Sequence, residues 1–179
     1  MVSKTVALAA GLVSFAGASP IASGDGNGKD LYWPVTEFFA SKPHLSSYVR
    51  YSFKIAVPAP DSPVLTCSLS QETGFSGSTY LPYVWPGAAP CKDADGNVVE
   101  AMTWSFSQGM PDQATPDVSK DATFNVTYSE QPNTLYRGSY TIPGSQVQIR
   151  LNEEPNPFDN DVTYVGPTEF RFTDIQVAV

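Results

Sequence analysis

Basic side chains, histidine and cysteine are all scarce in this chain, and each shortage removes a class of function. Ten lysines and arginines stand against 18 acids, giving a formal charge of −8. Phosphate binding needs a basic face, and none is supplied, so nucleic acid is excluded as a partner and an anionic membrane surface is disfavoured. The single histidine, His44, falls in a turn predicted over 41–44. An acyl-transfer triad needs a base held by an acid beside a nucleophile, and no nucleophile-elbow motif is present, so no catalytic role is assigned to His44. Cysteine is limited to Cys67 and Cys91, with no CxxC motif and no zinc spacing. No cofactor motif appears. Long hydrophobic runs are also missing, and the longest, over 6–15, is too short to span a bilayer.

That run has a different use. Lys4 precedes it and Ala16-Gly17-Ala18 follows, which is the order of a secretory signal peptide cleaved after Ala18. A buried N-terminal helix is the alternative. Cleavage removes Lys4 and takes the formal charge from −8 to −9. An acidic surface of that kind favours solubility and basic partners. Residues 19–30 are small, polar and glycine-rich, and are expected to form a flexible mature N-terminus. In an oxidising compartment two cysteines usually pair, and a Cys67–Cys91 bridge would stabilise the fold by roughly 3 to 3.5 kcal/mol in the chain-entropy model. Two buried free thiols are the other possibility.

What the chain has in quantity is alternation. Val49, Tyr51, Phe53, Ile55 and Val57 alternate with Arg50, Ser52, Lys54 and Ala56, which gives a strand one apolar and one mostly polar face. Proline and aspartate at 58–63 turn the chain, and Leu65, Cys67 and Leu69 share the inner face of the next strand. A first strand over 31–39 carries Tyr32, Trp33, Phe38 and Phe39, and its Pro34 predicts an edge or a bulge. Asp95-Gly96 suits a tight hairpin turn. Further strands are predicted around Met102, Trp104 and Phe106, then Ala122, Phe124, Val126 and Tyr128, then 135–142 and 147–151. The segment 152–161 reads as an acidic loop, and 168–179 as a closing strand with a bulge near Asp174, where the parity switches. Turn signals recur about every 8–12 residues without an amphipathic helix, as in antiparallel barrels and sandwiches.

Three further constellations bear on function. Residues 71–90 have no clean period, yet carry Tyr80, Tyr83 and Trp85 among prolines. These rings either form a platform for a sugar, a planar ligand or a partner protein, or plug one end of the fold. Asp93-Ala94-Asp95-Gly96-Asn97 has the glycine too early for a calcium loop and lacks the distal glutamate, so no metal is assigned. Glu153 and Glu154 are adjacent on a proline-rich loop; a glycosidase needs two carboxylates facing each other across a cleft. Asn125-Val126-Thr127 is the sole N-glycosylation sequon, and strand parity turns Asn125 away from Phe124 and Val126 toward solvent.

The order of motifs resembles a known family. Leu31-Tyr32-Trp33, Glu37-Phe38-Phe39, Lys42-Pro43, the alternating strand ending at Val57, Thr66-Cys67-Ser68, and Cys91 ahead of Trp104-Ser105-Phe106 follow the pattern of the Alternaria major-allergen-like proteins. The resemblance covers 31–107. It implies a secreted fungal β-barrel, allergen-like or elicitor-like, placed in the apoplast or fungal wall, with no enzymatic activity. It also implies a partner that is a plant extracellular protein or a cell-wall glycan. Allergen-type members have a further N-terminal cysteine that links two subunits, and a second intrachain disulfide. This chain has neither, so a Cys67–Cys91 bridge leaves a monomer or a non-covalent dimer. The expectation is an all-β, single-domain antiparallel β-barrel or barrel-like sandwich over 31–179, with one intrachain disulfide. A secreted carbohydrate-active enzyme using paired carboxylates is the alternative.

Overall fold

The computed structural model describes residues 33–43, 46–56, 63–72, 79–131, 134–151, 160–173 and 175–178. The predicted signal peptide (1–18), the N-terminal segment 19–30, His44, Val57, Glu153, Glu154 and Asp174 lie outside the described residues.

The alternating runs form strands as their period requires. These are β1 (Trp33–Lys42), β2 (Tyr48–Ala56), β3 (Val64–Glu72), β4 (Cys91–Lys92), β5 (Val98–Val99), β6 (Met102–Gln108), β7 (Ala122–Gln131), β8 (Thr134–Ile142), β9 (Val147–Arg150), β10 (Asp161–Tyr164), β11 (Phe170–Phe172) and β12 (Ile175–Ala178). A 3₁₀ turn, Gly144–Gln146, joins β8 to β9. Among the described residues no helix is long and apolar enough to cross a membrane.

The strands make two sheets. One runs β5-β4-β3-β2-β1-β10-β9, with β11 also paired to β1, and the other runs β12-β8-β7-β6. Every strand pairing among the described residues is antiparallel, as expected. The sheets are separate ladders, and no closed barrel is detected among the described residues. Their inner faces share one core. Val49, Tyr51, Phe53 and Ile55 of β2 are buried, as are Trp104, Phe106, Phe124 and Val126 across from them. Rings join the layers directly: Phe38 to Phe124 at 5.4 Å between centroids, Phe53 to Trp104 at 5.2 Å and Phe53 to Phe124 at 4.9 Å. Tilted and edge-on pairs of this kind set a negative ring face against a positive edge.

Four details depart from the sequence reading. First, β1 is not an edge, because β2 flanks it on one side and β10 and β11 on the other. The bulge falls three residues past Pro34, between Thr36 and Phe39, where Glu37 takes a φ of 54°. Second, the turn predicted at Ser41 and Lys42 is strand, and the two pair with Thr163 and Val162. Third, Asp161 opens β10 rather than ending a loop. Fourth, 168–179 is not one bulged strand. The chain pairs with β1 through Phe172 and with β8 from Ile175, so the parity switch marks a move between sheets.

Candidate functional site

The segment between β3 and β6 is held from several sides. Cys67 and Cys91 are register partners on β3 and β4, and their disulfide joins Cα atoms 4.2 Å apart. Leu81, Val84 and Ala89 are buried. The Tyr51 hydroxyl donates to the Pro82 carbonyl at 2.6 Å, and burial raises the Tyr51 pKa well above that of a free tyrosine. The Leu81 amide donates to Gln108 Oε1 at 2.7 Å, while Gln108 Nε2 donates to Ser119 Oγ and the Lys120 carbonyl. At the centre, Val84 and Phe106 exchange both backbone hydrogen bonds, at 2.8 and 3.2 Å.

That pairing decides where the aromatics go. Successive extended residues face opposite ways, so burying Val84 puts Tyr83 and Trp85 on the other side. Trp85 is 70 % exposed and Tyr83 41 % exposed, with ring centroids 4.6 Å apart and planes at 85°. Tyr80 is half-buried and is not part of this ring contact. The plugging role therefore belongs to Leu81, Val84 and Ala89, and the rings of Tyr83 and Trp85 stand at the surface. A turn follows, in which the Ala88 amide donates to the Trp85 carbonyl and Gly87 takes a φ of 78°.

Asn125 lies on the outward face of β7, half-buried, between Ser105 and Ser139 in register. Its Nδ2 is 3.5 Å from Ser105 Oγ.

The Asp93 turn is a hairpin device. Asp93 Oδ1 accepts from the amides of Asp95 and Asn97, and Oδ2 accepts from Asn97 Nδ2 at 3.1 Å. The Asn97 side-chain bond, then the backbone bonds, hold the Asp93 carboxyl below the usual range, and Gly96 supplies the positive φ of 85°. The carboxylate is thus used by its own turn. Among the described residues no group of three His, Cys, Asp or Glu side chains could hold a metal.

Two concavities lie elsewhere. One of about 200 Å³ is lined by Gln148, Arg150, Asp161, Thr163 and Val165; the other, about 300 Å³, is formed by 34–36 and 169–171. Lys42, assigned by sequence to a turn and given no role of its own, is fully buried, with Nζ donating to the Asn160 carbonyl at 2.9 Å. Burial lowers its pKa, and nearby Asp161 opposes that shift. Its only sequence signal is the run of strand-compatible residues ahead of it.

No protein-family model and no curated protein matches the chain. Among solved structures it is similar to two crystal structures of the Alternaria alternata major allergen Alt a 1. Identity is 16 % in both, over 83 % of this chain, with 89 % and 94 % of the allergen chains covered and TM-scores of 0.46 and 0.42.

Proposed function

We propose that this protein is a non-enzymatic, allergen-like binding protein of the extracellular space, contacting a plant extracellular protein or a cell-wall glycan through Tyr83 and Trp85. The observation that carries the reading is the exposure of Trp85, at 70 %, on a segment whose neighbours are buried and hydrogen-bonded. Tryptophan and tyrosine bring large contact area at low entropy cost, which is why they dominate binding hot spots. The Cys67–Cys91 bridge and the Val84–Phe106 pairing limit the segment's freedom before binding, so less ordering remains to oppose association. The signal-peptide pattern over 1–18 supports the compartment.

The test is Trp85→Ala, assayed for melting and for capture from plant apoplastic fluid and on insoluble chitin and β-glucan. An exposed ring predicts a stability change within about 0.5 kcal/mol. Binding should weaken by about 2 kcal/mol or more, as at other hot spots. Equal capture by wild type and variant overturns the assignment.

A further inference from the structure

The Val84–Phe106 pairing does more than expose two rings. Through a single β-bridge it sets 83–85 beside β6, at the edge of the β12-β8-β7-β6 sheet. In an antiparallel ladder the residues flanking a directly opposed pair are themselves opposed, so Trp85 falls across from Ser105 and Tyr83 across from Ser107. The register then continues from Ser105 to Asn125 on β7 and on to Ser139 on β8. Trp85, Ser105, Asn125 and Ser139 therefore form one row across the outer face. The aromatic pair and the sequon, unrelated in sequence, share a surface.

A second observation points the same way. Ser105 faces away from the core, between inward-facing Trp104 and Phe106, yet is only 9 % exposed. On the open side its register neighbour is Trp85, the largest side chain in the row. Two interstrand steps separate Trp85 from Asn125, about 10 Å between Cα atoms. A pyranose ring linked to Asn125 spans that gap.

We propose that Asn125 carries an N-linked glycan whose first sugars lie over Ser105 and stack on Trp85, so that the aromatic platform is occupied by the protein's own carbohydrate. In the modifying step the Asn125 amide nitrogen bonds to the anomeric carbon of a lipid-diphosphate oligosaccharide. The carbon–oxygen bond to the diphosphate breaks, the lipid diphosphate leaves, and the amide gives up one proton. Thr127, on the same outward face of β7, supplies the hydroxyl the sequon requires. An N-acetylglucosamine ring has one face of C–H bonds, which suits the electron-rich face of an indole, and a rim of hydroxyls. Sequon occupancy then decides whether Trp85 is available to a partner. The inference does not depend on what that partner is.

The experiment uses the full chain secreted from a fungal host, with Thr127→Ala to abolish the sequon while keeping Asn125. Trp33 and Trp104 are 0 % and 2 % exposed, so fluorescence quenched by acrylamide reports Trp85. The expected result is a hexose-bearing Asn125 peptide by mass, with Trp85 emission blue-shifted and protected from quenching. Thr127→Ala, or the native protein after enzymatic glycan removal, should regain the quenching; the enzymatic arm serves if the variant folds poorly. Trp85→Ala should lose the component that becomes quenchable on glycan removal, and leave the glycan more open to endoglycosidase. An unmodified Asn125 in the secreted protein overturns the proposal, as does equal quenching with and without the glycan. The capture assay on Trp85→Ala is run in the Thr127→Ala background, where no glycan covers the ring, so that it tests the binding reading separately.

Discussion

At Gly144 an added Cβ would lie 2.2 Å from the Ser119 carbonyl oxygen and 2.9 Å from its carbon. Both are backbone atoms, so no side-chain rotation relieves the clash. The Gly144 amide also donates to Asp121 Oδ1 at 2.8 Å, which ties the turn after β8 to the loop before β7. Gly144→Ala must push these apart and is expected to cost about 1–3 kcal/mol, the range for overpacking. Gly138 is the control. There a Cβ would meet Cγ of the fully buried Phe172 at 3.0 Å, a side-chain contact that a shift of a few tenths of an ångström relieves, so Gly138→Ala should cost less. Chemical denaturation of both variants checks the order, and an equal or reversed ranking would contradict this account. Trp33 and Trp104 add a cost of their own, since each buries an indole N–H with no partner among the described residues. Their rings earn their place through packing, Trp104 against Tyr51, Phe53 and Phe124 and Trp33 against Phe172.

The elements themselves were legible wherever one face is buried and the other wet. β2, β3, β6 and β7 follow directly from alternation, and the Asp95-Gly96 turn from its dipeptide, because those signals are local. Sequence was a poor guide where partner strands decide the outcome. Lys42 looks like a turn residue until β10 pairs with it, and Asp161 looks like a loop acid until Arg150 of β9 pairs with it. The parity switch near Asp174 was visible, but whether a chain bulges or changes sheets depends on pairing with β1 and β8, both distant in sequence. For the site, composition drew attention to Tyr80, Tyr83 and Trp85, of which only the last two form a ring pair. Which rings are exposed follows only from the Val84–Phe106 bridge, which no local pattern announces. The disulfide binds these elements together: β4 is two residues long and pairs with β3 only at Thr66 and Cys67. Cys67→Ser is therefore expected to cost 2–5 kcal/mol, as for native bridges in secreted domains. Hydrogen exchange should rise most across 81–92. Unfolded, non-reduced wild type should show no titratable thiol; finding two would refute the bridge.

For the whole molecule, the buried hydroxyls and the buried lysine set an alkaline stability profile. Burial raises the Tyr164 pKa to about 12, with Tyr140 adding to the shift, and burial raises that of Tyr51 well above the free value. Above pH 10 the unfolded chain loses these phenolic protons while the folded chain keeps them. The native state then binds more protons than the unfolded one, so stability present below pH 10 is lost as pH rises toward 12 and beyond. Lys42 acts in the opposite sense. Its folded pKa lies below 10.5, so the unfolded chain holds the proton longer, and stability rises with pH between that lowered value and 10.5. General repulsion in a chain of charge −8 also grows in base, which is why variants rather than the wild-type curve alone decide the matter. Tyr164→Phe loses the hydroxyl's bond to the Pro167 carbonyl, about 1 kcal/mol at neutral pH, yet its melting temperature should fall less steeply between pH 10 and 12. Lys42→Met should remove the rise that precedes the fall. Thermal melts of the three proteins from pH 8 to 12 measure both slopes. A Tyr164→Phe curve as steep as wild type would show that the buried phenol does not govern alkaline unfolding, and that repulsion over the acidic surface does.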